Sequence, residues 1–408
     1  MSLLSHHFAG ISIKRLSAVE TERHTSNQHE FNGTSSMKGY LGLDRKIFPA
    51  TFIYFGEVEE DRLALDDQVT WYDARERHPT RSEHRLYFRD NEVIQKATEG
   101  DTLVSALRQD GTMLLLIISE ASPDRSDILW LFGMSRAPGR SFITIDTESV
   151  TPQSNALFHY VAENIGLEIE EEASDTWLEL ILDRFGPRFP KTRELSGLAL
   201  ETLGQDISAV ETPDEALVRL IDREEELFRQ LERHIVSAQL KDKAEAWADN
   251  VDEFMKFSLG VHNRRKSRAG HALENHLEWI FSENRVEHQR GAHTENRSKP
   301  DFLFPGSEKY QDLNWPDERL TMLGVKTTCK DRWRQVLNEA HRIPEKHLLT
   351  LQPGISEHQT TEMQQASLTL VLPRRLHETY SEAQTGYLMD VSEFLTLVHE
   401  RQLSSIRG

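Results

Sequence analysis

A single cysteine, Cys329, among 408 residues rules out an internal disulfide and any thiolate set for a zinc finger. It lies at the end of an apolar run beside Lys326, so it reads as a packed small residue and not a nucleophile. Long apolar runs are missing too: no segment approaches the ~18 consecutive apolar residues of a membrane-spanning helix. The start, Met1-Ser2-Leu3-Leu4-Ser5-His6-His7, has no basic region followed by an apolar stretch. No secretory signal is therefore read, and a cytoplasmic location is expected. There is no internal repeat and no low-complexity tract. The absence of a Gly-rich phosphate loop of Walker type disfavours nucleotide chemistry. Cations are in the minority, 48 Lys and Arg against 67 Asp and Glu, for a net charge of −19. That balance does not exclude a polyanionic partner, because affinity for phosphates is set by cations gathered on one face. The acidic excess is concentrated in runs such as Glu168 to Glu172 and Glu224-Glu225-Glu226, whereas Arg264-Arg265-Lys266 and Arg268 put four cations in five positions.

What is present describes a soluble globular chain, 38% apolar and 28% charged, long enough for two domains with separate cores. From Gly10 to about Asp146 the signals are mostly β. Short runs (Ile11 to Leu16, Thr51 to Phe55, Val69 to Tyr72, Arg85 to Phe88, Leu103 to Leu107, Met113 to Ile118, Ile128 to Phe132, Phe142 to Ile145) alternate with turn-forming clusters. Asp110-Gly111 between two of them predicts a hairpin turn. Many short strands close together favour a barrel or sandwich. Around residues 169–190 an acidic run gives way to Trp177 and then to Gly186-Pro187 and Phe189-Pro190, which reads as an interdomain linker. Helices dominate next. Thr212-Pro213-Asp214-Glu215 has the form of a capping box, followed by Leu217, Leu220, Ile221, Phe228 and Leu231 at helical spacing. From Ser267 a second helix carries Leu273, Leu277, Ile280 and Phe281 on one face, with Glu274 and Glu278 one turn apart beside it.

The chemistry-bearing stretch runs from Lys299 to Ala340. Phe302 to Phe304 and Leu320 to Val325 are strand-like runs, and they bring Asp301 and Lys326, 25 positions apart (326 − 301), to nearby places in one sheet. Beyond Lys326 the period changes: Trp333, Val336, Leu337 and Ala340 fall at i, i+3, i+4 and i+7, predicting a helix that carries Glu339. Phosphodiester hydrolysis needs a hard cation, usually Mg²⁺, held by carboxylates against a phosphate oxygen, with a positioned base or cation beside the attacking water. Asp301, Glu339 and Lys326 supply those groups. The bland alternative is a strand-entry Asp, a solvated Lys and a helix-surface Glu, since such spacings also arise by chance.

Three long motifs tip that balance. Asn263-Arg264-Arg265-Lys266-Ser267-Arg268-Ala269-Gly270, Lys299-Pro300-Asp301-Phe302-Leu303-Phe304-Pro305 and Val325-Lys326-Thr327-Thr328-Cys329-Lys330-Asp331-Arg332-Trp333-Arg334-Gln335 closely resemble the EcoRII-type (type IIE) restriction endonucleases of the PD-(D/E)XK superfamily. The likeness is nearly gap-free from about Val251 to Val371. It implies a multidomain chain: an N-terminal mostly-β DNA-binding pseudobarrel over 1–168, a linker over 169–190, and an α/β restriction-endonuclease-like core over 191–408. The second carboxylate of that core is displaced from the strand, where Thr327 and Thr328 stand, to Glu339. The resemblance further implies that a glutamate of that second helix, Glu274 in preference to Glu278, joins Asp301 and Glu339 around Mg²⁺, that Tyr310 takes part in the active site, and that Lys330, Asp331 and Arg332 read base edges. Asp331 also reads as a plain helix N-cap. Phe228 resembles the aromatic of a pocket for a flipped base, although Glu224 occupies the place of the expected arginine; otherwise it is core. More weakly, Lys14, Arg15, Arg75, Arg81, Glu83 and Arg85 would line an effector cleft for a second DNA copy. The implied activity is Mg²⁺-dependent cleavage of double-stranded DNA at 5′-CCWGG by a homodimer, a palindrome being read by a twofold assembly. The alternative is a DNA-binding regulator on the same scaffold without catalysis.

Overall fold

In a computed structural model, residues 3–21, 29–134, 137–150, 154–167, 176–329 and 332–403 are described. The chain divides into two compact units: Met1–Pro152 with Phe158–Glu171 and Pro353–Ser356, and Gln153–Leu157 with Glu172–Gln352 and Glu357–Gly408. No helix of the described residues is long and apolar enough to cross a membrane.

The first unit is built on eight strands: β1 (Phe8–Arg15), β2 (Glu30–Asn32), β3 (Lys46–Phe55), β4 (Leu63–Asp73), β5 (His84–Phe88), β6 (Thr102–Arg108), β7 (Met113–Ile118) and β8 (Ile143–Ile145). They form one sheet in the order β2-β5-β4-β3-β7-β6-β1-β8, antiparallel throughout except for the parallel pair β3 and β7. Met113 to Ile118 are all buried. Such an unbroken apolar run suits a central strand covered on both faces. Gly111, at φ 83, turns β6 back into β7 so that Leu107 faces Met113; the left-handed backbone there favours glycine. One expectation fails. Ile128 to Phe132 is not a strand but belongs to the helix Arg125–Leu131 and its cap, with Ile128 and Leu131 fully buried. A short apolar run buried on most sides carries no periodicity that distinguishes strand from helix.

The second unit includes the helix Leu178–Phe185, inside the stretch expected to be a linker. Its Ile181 is buried with Leu195, Leu198, Leu227, Phe228 and Leu231, so the described part of that stretch belongs to a core. Two long helices follow, Pro213–Asp249 and Val251–Glu283. The expected capping box is absent: Thr212 occupies the N-cap without a side-chain cap bond, and Glu215 pairs instead with Arg375 at 2.5 Å. Asp214 accepts backbone N–H groups from Val391 and Arg374, both at 3.0 Å, and so caps the start of the closing helix Val391–Leu403.

A six-stranded mixed sheet occupies the rest: β9 (Gln289–Arg290), β10 (Phe302–Phe304), β11 (Thr321–Lys326), β12 (Lys346–Thr350), β13 (Leu368–Val371) and β14 (Leu388–Met389), in the order β14-β13-β12-β11-β10-β9. β9, β10 and β11 pair antiparallel, and β11 to β14 run parallel. Phe302 and Phe304 share one face of β10. Both rings meet Phe281 edge-on at 5.1 and 5.2 Å, and Phe304 also meets Phe394. These contacts seat two helices, Val251–Glu283 and Val391–Leu403, against one face of the sheet, each aromatic pair adding ~0.5–1.5 kcal/mol beyond area burial.

Candidate active site

Asp301 stands immediately before β10, and Lys326 closes β11. The antiparallel register pairs Phe302 with Leu323, which carries the two polar groups to the same end of the hairpin. Asp301 Oδ2 accepts the Lys326 ammonium at 2.8 Å and the Val325 backbone N–H at 2.6 Å. Lys326 also donates to Val325 O at 3.0 Å. Each side chain keeps 21% of its surface open, so the pair is oriented by the sheet and still reachable from solvent.

The expected helix under Glu339 is only one turn, Trp333–Val336; Glu339 lies in the turn behind it and not on a helix. Two features end the helix early. Ala340 adopts a left-handed φ of 49, and the buried Lys346 ammonium binds the carbonyls of Glu339 and Ala340, the latter at 2.6 Å. Glu339 nonetheless lies within electrostatic range of both Asp301 and Lys326. Its carboxyl is pushed up to about 7, by burial first, then by the charge of Asp301, while Lys326 and Lys346 pull the other way. Its Oε2 is buried with no hydrogen-bond partner among the described residues. A buried carboxylate oxygen left unpaired beside a second carboxylate is the environment that a hard cation relieves, so Asp301 and Glu339 fit as cation ligands.

The third expected ligand stands apart. Glu274 is engaged by Arg290, which donates from Nε at 2.9 Å and from a terminal nitrogen at 2.6 Å; its charge is already met by a guanidinium. Among the described residues no group of three His, Cys, Asp or Glu side chains is gathered closely enough to hold a metal. Tyr310 is buried at 4% exposure. Its hydroxyl donates to Glu295 and accepts the Arg342 backbone N–H at 3.2 Å. Burial, then that hydrogen bond, keep the phenol protonated well above its ordinary range. Burial opposes the charge of Glu295, but the hydrogen bonds from Tyr310 and backbone N–H groups outweigh it and hold the carboxyl below its usual value. Tyr310 therefore anchors the loop behind Glu339. Sequence reasoning missed Glu295 and Lys346. Lys346 opens an ordinary-looking strand, and no local pattern marks a lysine whose ammonium folds inward; burial brings it down to about 8, against the fields of Glu295 and Glu339.

The cations expected to face DNA fall into two sets. Arg264, Lys266 and Arg332 are exposed; Arg264 lies over the Phe189 ring, and Arg332 folds onto Thr328 at 2.7 and 2.9 Å. Lys330 and Asp331 lie outside the described residues. Arg265 is bound to Glu232 at 2.6 Å. Arg268 is a correction: it is 5% exposed, pairs with Glu224 and Glu225, and stacks on the Phe228 ring at 4.2 Å. His276 Nε2 lies 2.8 Å from Glu224 beside this network. Charges this deep must be paired to be tolerated, so Arg268 is spent on its neighbours, and Phe228, 2% exposed, is core. In the first unit Lys14 is likewise buried, 2.5 Å from Glu20, and not part of an open cleft. Arg15 pairs with Glu120 at 2.8 Å. Arg75, Glu83 and Arg85 are brought together, Glu83 binding both guanidinium groups at 2.5 and 2.6 Å, and Arg81 is exposed on the loop between β4 and β5.

Residues 228–395 match the family described as EcoRII C terminal. The type II restriction enzyme EcoRII of Escherichia coli is 51% identical over 147 residues, a stretch that spans 36% of this chain and 36% of that enzyme. Among solved structures, metal-depleted Ecl18kI in complex with uncleaved DNA aligns with a TM-score of 0.45 at 18% identity, covering 58% of this chain and 87% of that chain. The PspGI–substrate DNA complex aligns with a TM-score of 0.43 at 15% identity, covering 53% and 95%. Both likenesses are too distant to carry an argument. The match to the EcoRII C-terminal family over residues 228–395 takes in Asp301, Lys326 and Glu339 together, and this chain spans about a third of the length of the EcoRII enzyme it matches.

Proposed function

We propose that the protein is a Mg²⁺-dependent type II restriction endonuclease, of the type IIE kind, acting in the cytoplasm. It cleaves double-stranded DNA at a short palindrome, 5′-CCWGG, leaves 5′-phosphate ends, and works as a homodimer. The observation that carries this is the Asp301–Lys326 contact at 2.8 Å with the unpaired, buried carboxylate oxygen of Glu339 acting on the same pair. The match of residues 228–395, which contain these groups, to the EcoRII C-terminal family supports it.

Asp301 and Glu339 would hold the cation, and bound Mg²⁺ would supply positive charge to the scissile phosphate. Lys326, fixed between Asp301 and Val325 O, orients the attacking water and offsets the negative charge that develops on phosphorus. A water oxygen forms the new bond to phosphorus in line with the departing 3′ oxygen as the P–O3′ bond breaks; the water gives up a proton to solvent, the leaving 3′ oxygen takes one up from solvent, and no covalent enzyme intermediate is needed. Arg264, Lys266 and Arg332 are the exposed cations suited to the phosphate backbone, with Lys330 and Asp331 beside Arg332 in sequence to read base edges. The N-terminal unit serves as the effector domain for a second DNA copy, with Arg75, Arg81, Glu83 and Arg85 as its contact group.

Digestion of unmodified plasmid carrying 5′-CCWGG sites tests the reading. Mg²⁺-dependent cleavage, lost in Lys326→Ala while DNA binding persists, is expected. Binding without cleavage by the wild type would leave a DNA-binding regulator as the function.

A further inference from the structure

Lys346 opens β12, beside β11 in the parallel part of the sheet, and its backbone N–H is bonded to Ser367 O at 2.9 Å. Its side chain does not extend to solvent: the residue is 5% exposed. The ammonium turns back onto the preceding chain and donates to the carbonyls of Glu339 and Ala340. A lysine this buried is uncommon and needs a reason. The reason lies in the turn it binds. The one-turn helix ends at Val336, Glu339 N–H still bonds Val336 O at 3.1 Å, and Ala340 adopts a φ of 49, a left-handed conformation unfavourable for a residue with a Cβ. Two carbonyls pointed at one ammonium offset that cost and fix the peptide planes on either side of Ala340. They thereby fix the direction in which Glu339 leaves the backbone. The same ammonium contributes to the field on the Glu339 carboxylate.

We infer that Lys346 is a positioning residue of the cation site: its ammonium clamps the 339–340 turn so that the Glu339 carboxylate faces Asp301, without itself touching DNA or cation. This rests on the proposed nuclease function. Lys326 and Lys346 thus divide two tasks: the first is half of the reacting group, and the second holds the other carboxylate in place.

The test uses the full-length protein. In Lys346→Met the Mg²⁺ concentration for half-maximal plasmid cleavage rises at least tenfold, and the heat of Mg²⁺ binding to the DNA-free protein weakens in parallel. DNA affinity in EDTA stays within twofold. Adding Ala340→Gly, which relaxes the left-handed position, recovers part of the lost Mg²⁺ affinity, an outcome that a general loss of packing would not give. If Lys346→Met lacks a cooperative melting transition, Lys346→Gln, which keeps amide donors near the two carbonyls, carries the same measurements and is expected to lie between the two. A folded variant with wild-type Mg²⁺ dependence and binding heat overturns the inference while leaving the nuclease reading intact. A wild type that shows no Mg²⁺-dependent cleavage overturns both.

Discussion

Glu339→Gln should make the metal-free protein more stable at alkaline pH and at the same time inactive. The wild-type carboxyl, pushed up to about 7 by burial first and by Asp301 second, ionises near 4.5 when unfolded. Between those values the folded state binds the extra proton, so this group lowers stability progressively as pH rises from about 4.5 through 7, and its full cost is present above that. At ~1.4 kcal/mol per unit the shift amounts to about 3 kcal/mol; because the side chain is only partly buried, solvent screening reduces this to about 2 kcal/mol. Glutamine keeps the shape and the backbone carbonyl that Lys346 binds but carries no charge. Urea denaturation in EDTA should therefore find the variant about 2 kcal/mol more stable than wild type at pH 8 and equal to it near pH 5. Mg²⁺ at a hundredfold excess over its dissociation constant should return about 2.7 kcal/mol to the wild type alone, inverting the order. A variant less stable than wild type at pH 8, or an offset that is the same at pH 5 and pH 8, would refute the reasoning.

Two further outcomes follow from packing. A Cβ at Gly324 would sit 2.8 Å from Val336 Cγ2, so Gly324→Ala should push the Trp333–Val336 turn off the sheet, costing ~1–3 kcal/mol by thermal denaturation and lowering cleavage roughly a hundredfold by displacing Glu339; unchanged cleavage would show that the turn does not set its position. His347, fully buried on β12 against Phe394, has its imidazole held well below the ordinary range by burial. Its contribution to stability is whole above the unfolded value near 6.5 and is lost as pH falls below it. His347→Leu should therefore flatten the acid limb of a urea-denaturation profile by about 1–3 kcal/mol; parallel limbs in the two proteins would refute this.

Much of the site was legible because it is local. Phe302 to Phe304 and Leu320 to Val325 announce strands by composition, and their closeness in the chain favours pairing in one sheet, which brings Asp301 and Lys326 near each other. Asp110-Gly111 was legible for the same reason. What stayed hidden depends on contacts far along the chain. Periodicity predicted a helix through Ala340 and could not foresee that Lys346 would bind the carbonyls at its end. Arg268 looks like one more cation of a basic cluster until Glu224 and Glu225, more than forty positions earlier, are brought against it. Glu274 reads as a free helix-face carboxylate, yet Arg290 on β9 takes it. Glu215 fits a capping box in sequence, but Arg375 outcompetes the backbone for its carboxylate. In each case a charged side chain was assigned to solvent or ligand, and a distant opposite charge claimed it.

The parallel pairing of β11 with β12 has a consequence for assembly. Asp301, Lys326, Glu339 and Lys346 all belong to one uninterrupted hairpin and crossover, so the loop that must close to bring them together is short and its entropic cost small. The polar centre can thus take shape as soon as this segment docks on the Val251–Glu283 helix, before the later strands β13 and β14 add to the edge, and changes in chain length elsewhere leave its internal register untouched.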